Sequence, residues 1–176
     1  PEVFPARIWA ACDFEGNREK VAWMGQPVMD NLKAYPGNSR SVKAVPAVSE
    51  KGRIVSVSPV YRPRMGKNNK VYLRYFLSGS EKIRIDLFNW TTGQVHRTLV
   101  EGLEKDTWAE AIVDFSAAKT ANGALIASGE RMEQLLFAVG DGEMWLDDII
   151  CFTDDPDAGG QPPAEPFPRR VIDVWG

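Results

Sequence analysis

Hydrophobic and polar side chains alternate along most of the chain, in short segments separated by residues typical of turns. A period of two predicts β-strands, because successive side chains of a strand point to opposite faces of its sheet. Convincing helical periodicity is nearly absent. We therefore predict strands at about 7–12, 41–48, 53–61, 70–78, 82–90, 94–100, 108–115, 132–139 and 144–152.

Nine strands at this spacing predict an all-β fold, a two-sheet antiparallel β-sandwich of the jelly-roll kind. The chain has 176 residues, 44% of them hydrophobic, which is enough for one sizeable core. We place the sandwich domain at 1–153. Proline and glycine then become frequent, so 154–170 is predicted to be a linker. The strand-like residues 171–176 form a terminal strand or the start of a further domain.

The overall charge narrows the classes of partner. A formal net charge of -3 lacks the excess of lysine and arginine that a phosphate backbone demands, so nucleic acid is not expected.

No apolar run reaches the roughly 20 residues that cross a bilayer, so no membrane span is expected. The single histidine, His96, excludes a three-histidine metal centre. We expect a monomer or part of a larger chain.

Three short motifs mark the start, middle and end of the patterned region: CDFEGN at 12–17, WAEAIVDF at 108–115 and MWLDDIIC at 144–151. In these motifs the sequence resembles the galactose-binding-like jelly rolls of many carbohydrate-binding modules. Those folds open with a D/N-F-E-G segment, carry a W-x-x-x-x-V-D-F/L strand near the middle and close with two acids between hydrophobic residues. The resemblance implies that Trp108 is a structural ring, and that Trp23 lies where related modules often place a ligand-facing aromatic.

The same resemblance implies that the first and last strands run antiparallel side by side. In a register that pairs Glu15 with Asp148, the two carboxylates would repel unless a cation held by oxygen atoms lay between them. Related modules commonly hold a structural calcium at this place. We therefore expect calcium at Glu15 and Asp148, completed by carbonyl oxygens near Asp13 and around Ser41. The alternative is a solvated strand end with Glu15 in a turn.

That register also sets Cys12 opposite Cys151. Facing cysteines on adjacent strands can form a disulfide when their Cβ atoms approach to about 3.8 Å, and secretion would favour the bond. Two buried thiols that pack as small apolar residues are the alternative. The sequence leaves both open.

A candidate binding face follows from two segments that we predict to be paired, 71–77 and 82–90, joined through 78–80. Their apolar rows are expected to face the core. The opposite rows combine rings with planar charged groups: Tyr72, Arg74, Phe76, Arg84, Asp86, Phe88 and Trp90. Aromatic rings suit the C–H faces of sugars, and arginine with aspartate can bond to sugar hydroxyls. The alternative is that the charged groups form internal ion pairs and protein covers the rings.

Two further residues join this predicted ligand set, His96 and Trp23. The loop 61–69 is basic. If it borders the face, an acidic polysaccharide is favoured over a neutral one.

The function predicted from these features is a non-catalytic carbohydrate-binding module that binds a poly- or oligosaccharide. The module would belong to a secreted, periplasmic or cell-surface protein with several domains that acts on polysaccharides. One alternative is a structural or adhesion sandwich. A second is a small polysaccharide lyase with Tyr72 or His96 as its base. Hydrolysis by Asp147 and Asp148 is disfavoured, because neighbours in a regular strand point to opposite faces.

Overall fold

A computed structural model describes residues 7–15, 23–24, 28–59 and 61–153, without the side chains of Arg7, Trp23 and Met24. The predicted linker 154–170 and the terminal segment 171–176 lie outside these ranges. The strands are β1 (Arg7–Cys12), β2 (Trp23–Met24), β3 (Val28–Asp30), β4 (Ser41–Lys43), β5 (Val45–Pro46), β6 (Arg53–Pro59), β7 (Asn69–Ser78), β8 (Ile83–Asn89), β9 (Gln94–Val100), β10 (Trp108–Asp114), β11 (Met132–Gly140) and β12 (Glu143–Thr153).

These strands form two antiparallel sheets. Sheet I has the order β10–β7–β12–β4–β3, and β1 also pairs with β12. Sheet II has the order β2–β6–β11–β8–β9, and β5 also pairs with β6. The predicted all-β, two-sheet sandwich is confirmed. Within the part of the chain that the structure describes, no helix is long and apolar enough to cross a membrane.

The core lies between the two sheets and is filled mainly by side chains of the longer strands. In β7 the inward row is Val71, Leu73, Tyr75 and Leu77, and in β8 it is Ile83, Ile85 and Leu87; all are at most 2% exposed. These two rows are the ones that the alternation predicts. Burying them is the main stabilising contribution of both strands.

β7 and β8 are not paired with each other, and the prediction that they form one face is wrong. β7 lies between β10 and β12 in sheet I, whereas β8 lies between β11 and β9 in sheet II. Residues 79–82 therefore carry the chain from one sheet to the other. Alternation shows which side of a strand is buried, but it does not show which strand lies beside it. The outward rows of β7 and β8 consequently face opposite surfaces of the molecule.

The predicted pairing of the first and last strands is confirmed, but its register differs from the expected one. Ala10 lies opposite Cys151, and Cys12 lies opposite Ile149. The two cysteines are thus diagonal neighbours, whose Cα atoms stand roughly 7–8 Å apart, too far for a disulfide. Both are buried and are not bonded to each other. The alternative of two packed thiols is therefore the one observed.

β12 contains a bulge at its acidic pair. Asp147 lies opposite Arg74 and Ile149 opposite Leu73, which leaves Asp148 as an extra residue with a φ of 46°. An extra residue interrupts the regular alternation of the strand. The prediction that the two acids point to opposite faces is therefore wrong. The Asn38 side chain bonds to both of them.

Candidate functional site

The outer side of sheet I carries a cluster of four rings, Tyr35, Phe76, Trp108 and Trp145, which we call the aromatic face. Phe76 lies opposite Trp108 on one neighbouring strand and opposite Trp145 on the other. Its ring centroid is 5.8 Å from that of Trp108 and 5.7 Å from that of Trp145, and both contacts are edge to face. Tyr35, from the β3–β4 loop, meets Trp108 at 5.9 Å in the same manner. Edge-to-face packing is favourable and fixes each ring.

The β3–β4 loop covers part of this face. The Nζ atom of Lys33 lies 3.4 Å from the Phe76 centroid and 4.1 Å from that of Trp145. Trp145 also donates from Nε1 to Asp30 Oδ2 at 2.9 Å and is only 6% exposed. Trp145 is therefore the packed base of the cluster. Tyr35, Phe76 and Trp108 remain partly exposed.

Arg74 and Tyr72, two predicted ligand residues, lie on this side of sheet I but are 3% and 2% exposed. The Arg74 guanidinium pairs with Asp148 Oδ2 at 2.7 Å and with Glu110 Oε1 at 3.2 Å. It also donates to the Tyr72 hydroxyl at 3.0 Å and lies 4.0 Å from the Tyr35 ring centroid. Arg74 thus supports the aromatic face from below.

Glu110 stands at the solvent edge of the same cluster. Its Oε1 atom accepts from the Tyr35 hydroxyl at 3.3 Å and from Arg74, and the residue is exposed. Together with Tyr35 and Trp108 it offers surface that a ligand can reach. None of these three is predicted from the sequence to bind a ligand. Alternation along β10 could have placed Trp108 and Glu110 on one face, but Tyr35 lies in a loop without periodicity.

Asp147, behind the loop, is fully buried. Its Oδ2 atom accepts from Asn38 Nδ2 at 2.8 Å and from the Tyr35 backbone N–H at 3.4 Å. Its Oδ1 atom has no hydrogen-bond partner among the described residues. Burial, and secondly the charge of Asp148, raise the pKa of Asp147 to about 7. A buried carboxylate with an unused oxygen is a natural ligand for a proton or a cation.

The predicted calcium ligands, which do not include Asp147, are only partly brought to this place. Glu15 accepts from the backbone N–H groups of Ser39 and Arg40, at 2.9 and 3.2 Å. Burial raises the pKa of Asp148, and the charge of Asp13 adds to that effect. The Ser41 hydroxyl donates to the Lys33 carbonyl. Within the described ranges, no three His, Cys, Asp or Glu side chains are arranged to hold a metal.

Arg84, Asp86, Phe88 and Trp90, the remaining strand residues of the predicted set, lie on β8 or directly after it, on the opposite sheet. Arg84 pairs with Glu50 at 2.8 Å and with Asp86 at 3.3 Å. Asp86 also accepts two bonds from Arg97, at 2.7 and 2.8 Å. These charges form ion pairs with one another, which is the alternative that the sequence left open. Phe88 is half-buried, and Trp90 is 46% exposed.

His96 and Trp23 complete the predicted set. His96 lies opposite Leu87 on the inward side and is 1% exposed. Its Nδ1 atom is 2.9 Å from the Ala118 carbonyl oxygen, and its Nε2 atom is 3.3 Å from Asn89 Nδ2. The prediction that His96 reaches a ligand is therefore wrong. The backbone of Trp23 pairs with Pro59 in sheet II, and the Trp23 side chain is one of those that the structure does not describe.

Comparisons with known proteins find similar structures but no similar sequences. No protein-family model and no curated protein matches this chain. The solved CBM22-1 xylan-binding domain of Paenibacillus barcinonensis Xyn10C superposes with a TM-score of 0.55 at 13% identity, over 85% of this chain and 96% of that one. The fold is that of carbohydrate-binding β-sandwich modules.

Two further solved structures extend the comparison. A family 11 carbohydrate-binding module from Clostridium thermocellum, in complex with a β-1,3-1,4-mixed-linked tetrasaccharide, gives a TM-score of 0.55 at 12% identity, over 84% of this chain and 95% of that one. An exo-β-agarase gives 0.51 at 12% identity, over 82% of this chain but only 24% of the enzyme. At such identities the likeness establishes the shared fold, and function has to be argued from the residues.

Proposed function

We propose that this chain is a non-catalytic carbohydrate-binding domain that holds a poly- or oligosaccharide on the aromatic face of sheet I. We place it in an exported, multidomain protein that acts on polysaccharides. The observation that carries the proposal is the set of three partly exposed rings, Tyr35, Phe76 and Trp108, fixed edge to face beside the exposed carboxylate of Glu110.

This arrangement suits a sugar for physical reasons. Pyranose rings present apolar C–H faces that pack on aromatic rings, and their hydroxyls can donate to a carboxylate such as Glu110. The rings stand on paired strands and on each other, so little side-chain freedom is lost when a ligand binds. The shared fold with carbohydrate-binding modules supports the same function.

A lyase is disfavoured by the burial of its two candidate bases. His96 and Tyr72 are 1% and 2% exposed. Burial raises the pKa of the Tyr72 hydroxyl, which opposes formation of the phenolate that would remove a proton. Hydrolysis by the acidic pair is disfavoured because Asp147 and Asp148 are 0% and 1% exposed, which leaves no room for a glycosidic bond between them.

The test is a Trp108→Ala variant, with Trp90→Ala on the opposite sheet as the matched control. Native affinity gels containing xylan, mixed-linkage β-glucan or agarose supply the ligands, which follow the known or named targets of the similar structures. Removing a central tryptophan typically costs about 2 kcal/mol of binding free energy, or about thirtyfold in affinity. We expect that loss for Trp108→Ala and unchanged retardation for Trp90→Ala.

Circular dichroism and thermal unfolding must show that both variants are folded, since Trp108 also packs against its neighbours. Any loss of binding can then be assigned to the missing side chain. Loss of neutral-glycan binding in Trp90→Ala alone would transfer the site to sheet II. A folded wild-type chain that binds none of a broad glycan panel would favour the structural or adhesion alternative.

We also propose a structural calcium ion at the acidic end of β12. The buried, partnerless Oδ1 atom of Asp147 supports it. Because no three acidic side chains of the described residues are arranged as ligands, Asp147 and Asp148 would need carbonyl oxygens near Asp13 and around Ser41 to complete the site. Bound calcium would neutralise the pair and tie β1 to β12. Millimolar calcium should then raise the melting temperature of the wild type above its value in EDTA, and raise that of Asp147→Asn much less. Equal melting temperatures of the wild type with and without calcium would remove this ion from the proposal.

A further inference from the structure

A second cluster with unused binding chemistry lies at one end of sheet II, where three segments meet. Arg64 and Arg131 face each other in an antiparallel bridge. The Trp90 backbone N–H donates to the Arg131 carbonyl at 2.8 Å, and that of Met132 donates to the Pro63 carbonyl at 3.0 Å. Backbone bonds therefore hold these side chains in a fixed relation.

Trp90 and the arginines Arg62, Arg64 and Arg131 form this cluster, which we call the arginine–tryptophan cluster. The Arg62 guanidinium carbon lies 4.7 Å from the Trp90 ring centroid. Arg131 donates from Nη1 to the Arg62 carbonyl at 2.9 Å. Arg62 has a φ of 46°, a conformation that costs a non-glycine residue about 1 kcal/mol or more. The indole remains 46% exposed and offers apolar surface beside the cations.

The charge of the cluster is incompletely compensated. Two like charges directly opposite each other, as Arg64 and Arg131 are, destabilise a strand pair. Glu133 pairs with Arg62 at 3.1 Å, and Glu130 accepts bonds from Asn89 and from the Ala127 backbone. Within the described part of the chain, the exposed Arg64 side chain has no ion pair. Residues 61–69 carry no acid that could supply one.

We propose that the arginine–tryptophan cluster is a second binding site, specific for a sugar that carries a carboxylate or sulfate group. The guanidinium groups would donate paired hydrogen bonds to the anion, and the exposed indole surface would pack on the sugar ring. The choice of a sugar as carrier of the anion rests on the proposed function. The location of the site rests on the arginines and Trp90 alone.

The site should be independent of the aromatic face, because the two lie on different sheets. Trp90 follows β8 in sheet II, whereas Phe76 and Trp108 belong to sheet I. An anionic ligand bound at one surface does not contact the rings of the other. Each site can therefore be removed by substitution without touching its counterpart.

The test uses the full chain in affinity gels that contain polygalacturonate or carrageenan, with methyl-esterified pectin and agarose as the less charged or uncharged counterparts. Arg64→Gln removes the cation without ion-pair partner, and a hydrogen bond to a charged group is worth about tenfold or more in affinity. We expect about tenfold weaker binding of the anionic polymer and unchanged binding of its neutral counterpart. Preference for polygalacturonate assigns the carboxylate, and preference for carrageenan assigns the sulfate.

Arg97→Gln is the matched control, since Arg97 is also an exposed arginine of sheet II but is already paired with Asp86. Equal weakening in Arg64→Gln and Arg97→Gln, or no binding of either anionic polymer by the wild type, would overturn the proposal. Trp90→Ala should lose the anionic polymer, and Trp108→Ala should keep it. If the chain binds neutral polymers through Trp108 but binds no anionic polymer, this inference is refuted and the proposed function stands. If the chain binds anionic polymers through Trp90 but binds no neutral polymer, the aromatic face is refuted as a binding site.

Discussion

Single residues on the outer side of sheet I take their roles from burial more than from chemical type. Arg74 has the charge expected of a ligand-binding residue, yet it is 3% exposed and already pairs with two acids. Trp108 was expected to be structural, yet it is partly exposed beside Glu110. Alternation predicted that Tyr72, Arg74 and Phe76 point away from the core. It could not predict that the β3–β4 loop lies over Arg74 and Phe76, because a loop follows no period.

Asp147 gives a prediction at this scale. Its pKa is about 7 in the folded chain, against 3.8 as the ordinary value, mainly because burial disfavours its charge. Protonated Asp147 makes its full contribution to the free energy of unfolding below about pH 4. That contribution is lost as the pH rises through about 7, because the carboxylate then becomes charged in its buried position. Asp147→Asn cannot titrate. In EDTA, its melting temperature relative to wild type should therefore rise steadily from about pH 4 to pH 7.

Asp141→Asn, at the exposed β11–β12 turn, is the control. Its melting temperature relative to wild type should not change in this way over the same pH range. A constant difference for Asp147→Asn would mean that the carboxylate is already charged in the folded chain.

The positions of most strands were predictable from the sequence, whereas the pairing between strands was not. The longer strands β6 to β12 begin and end within two residues of the predicted bounds. The predicted strand 41–48 is in fact β4 in sheet I followed by β5 in sheet II, and β7 and β8 are divided in the same way. β7 and β8 each fill the core with one apolar row, although they join different sheets. Pairing depends on packing between distant segments, which the local pattern does not record.

The bulge in β12 is an element whose effect can be measured. Asp148 combines a left-handed backbone conformation with an ion pair to the buried Arg74. Asp148→Ala would strain the backbone and leave the guanidinium short of a partner, at a cost of about 3 kcal/mol. Asp148→Asn tolerates the conformation and keeps an acceptor, so its loss should be clearly smaller. Urea unfolding of both variants measures the difference.

Equal losses in the two variants would indicate that the negative charge, rather than the backbone conformation or the acceptor, matters at this position.

The bulge also explains why the acidic pair could not be interpreted from the motif. Two neighbouring acids alternate in a regular strand, and a single inserted residue changes that relation.

At the scale of the whole molecule, the sandwich presents two chemically different outer surfaces. Sheet I carries packed rings with a carboxylate at the edge, and sheet II carries ion pairs and the arginine–tryptophan cluster. The sequence predicted both sets of outward residues but joined them into one face. Its fold class and its likeness to carbohydrate-binding modules are confirmed by structural comparison, although sequence identity is only 12–13% in the two modules described.

β12 occupies the middle of sheet I although it is the last strand of the described chain. It pairs with β7 along its length and with β4 and β1 on its other side. During synthesis on a ribosome, sheet I therefore cannot close until residues 143–153 have emerged, and β1 must wait for a partner more than 130 residues away. Contacts of such sequence separation form slowly. Until then the outer rings of β7 have no completed sheet beneath them, so the aromatic face would be among the last parts of the molecule to take shape.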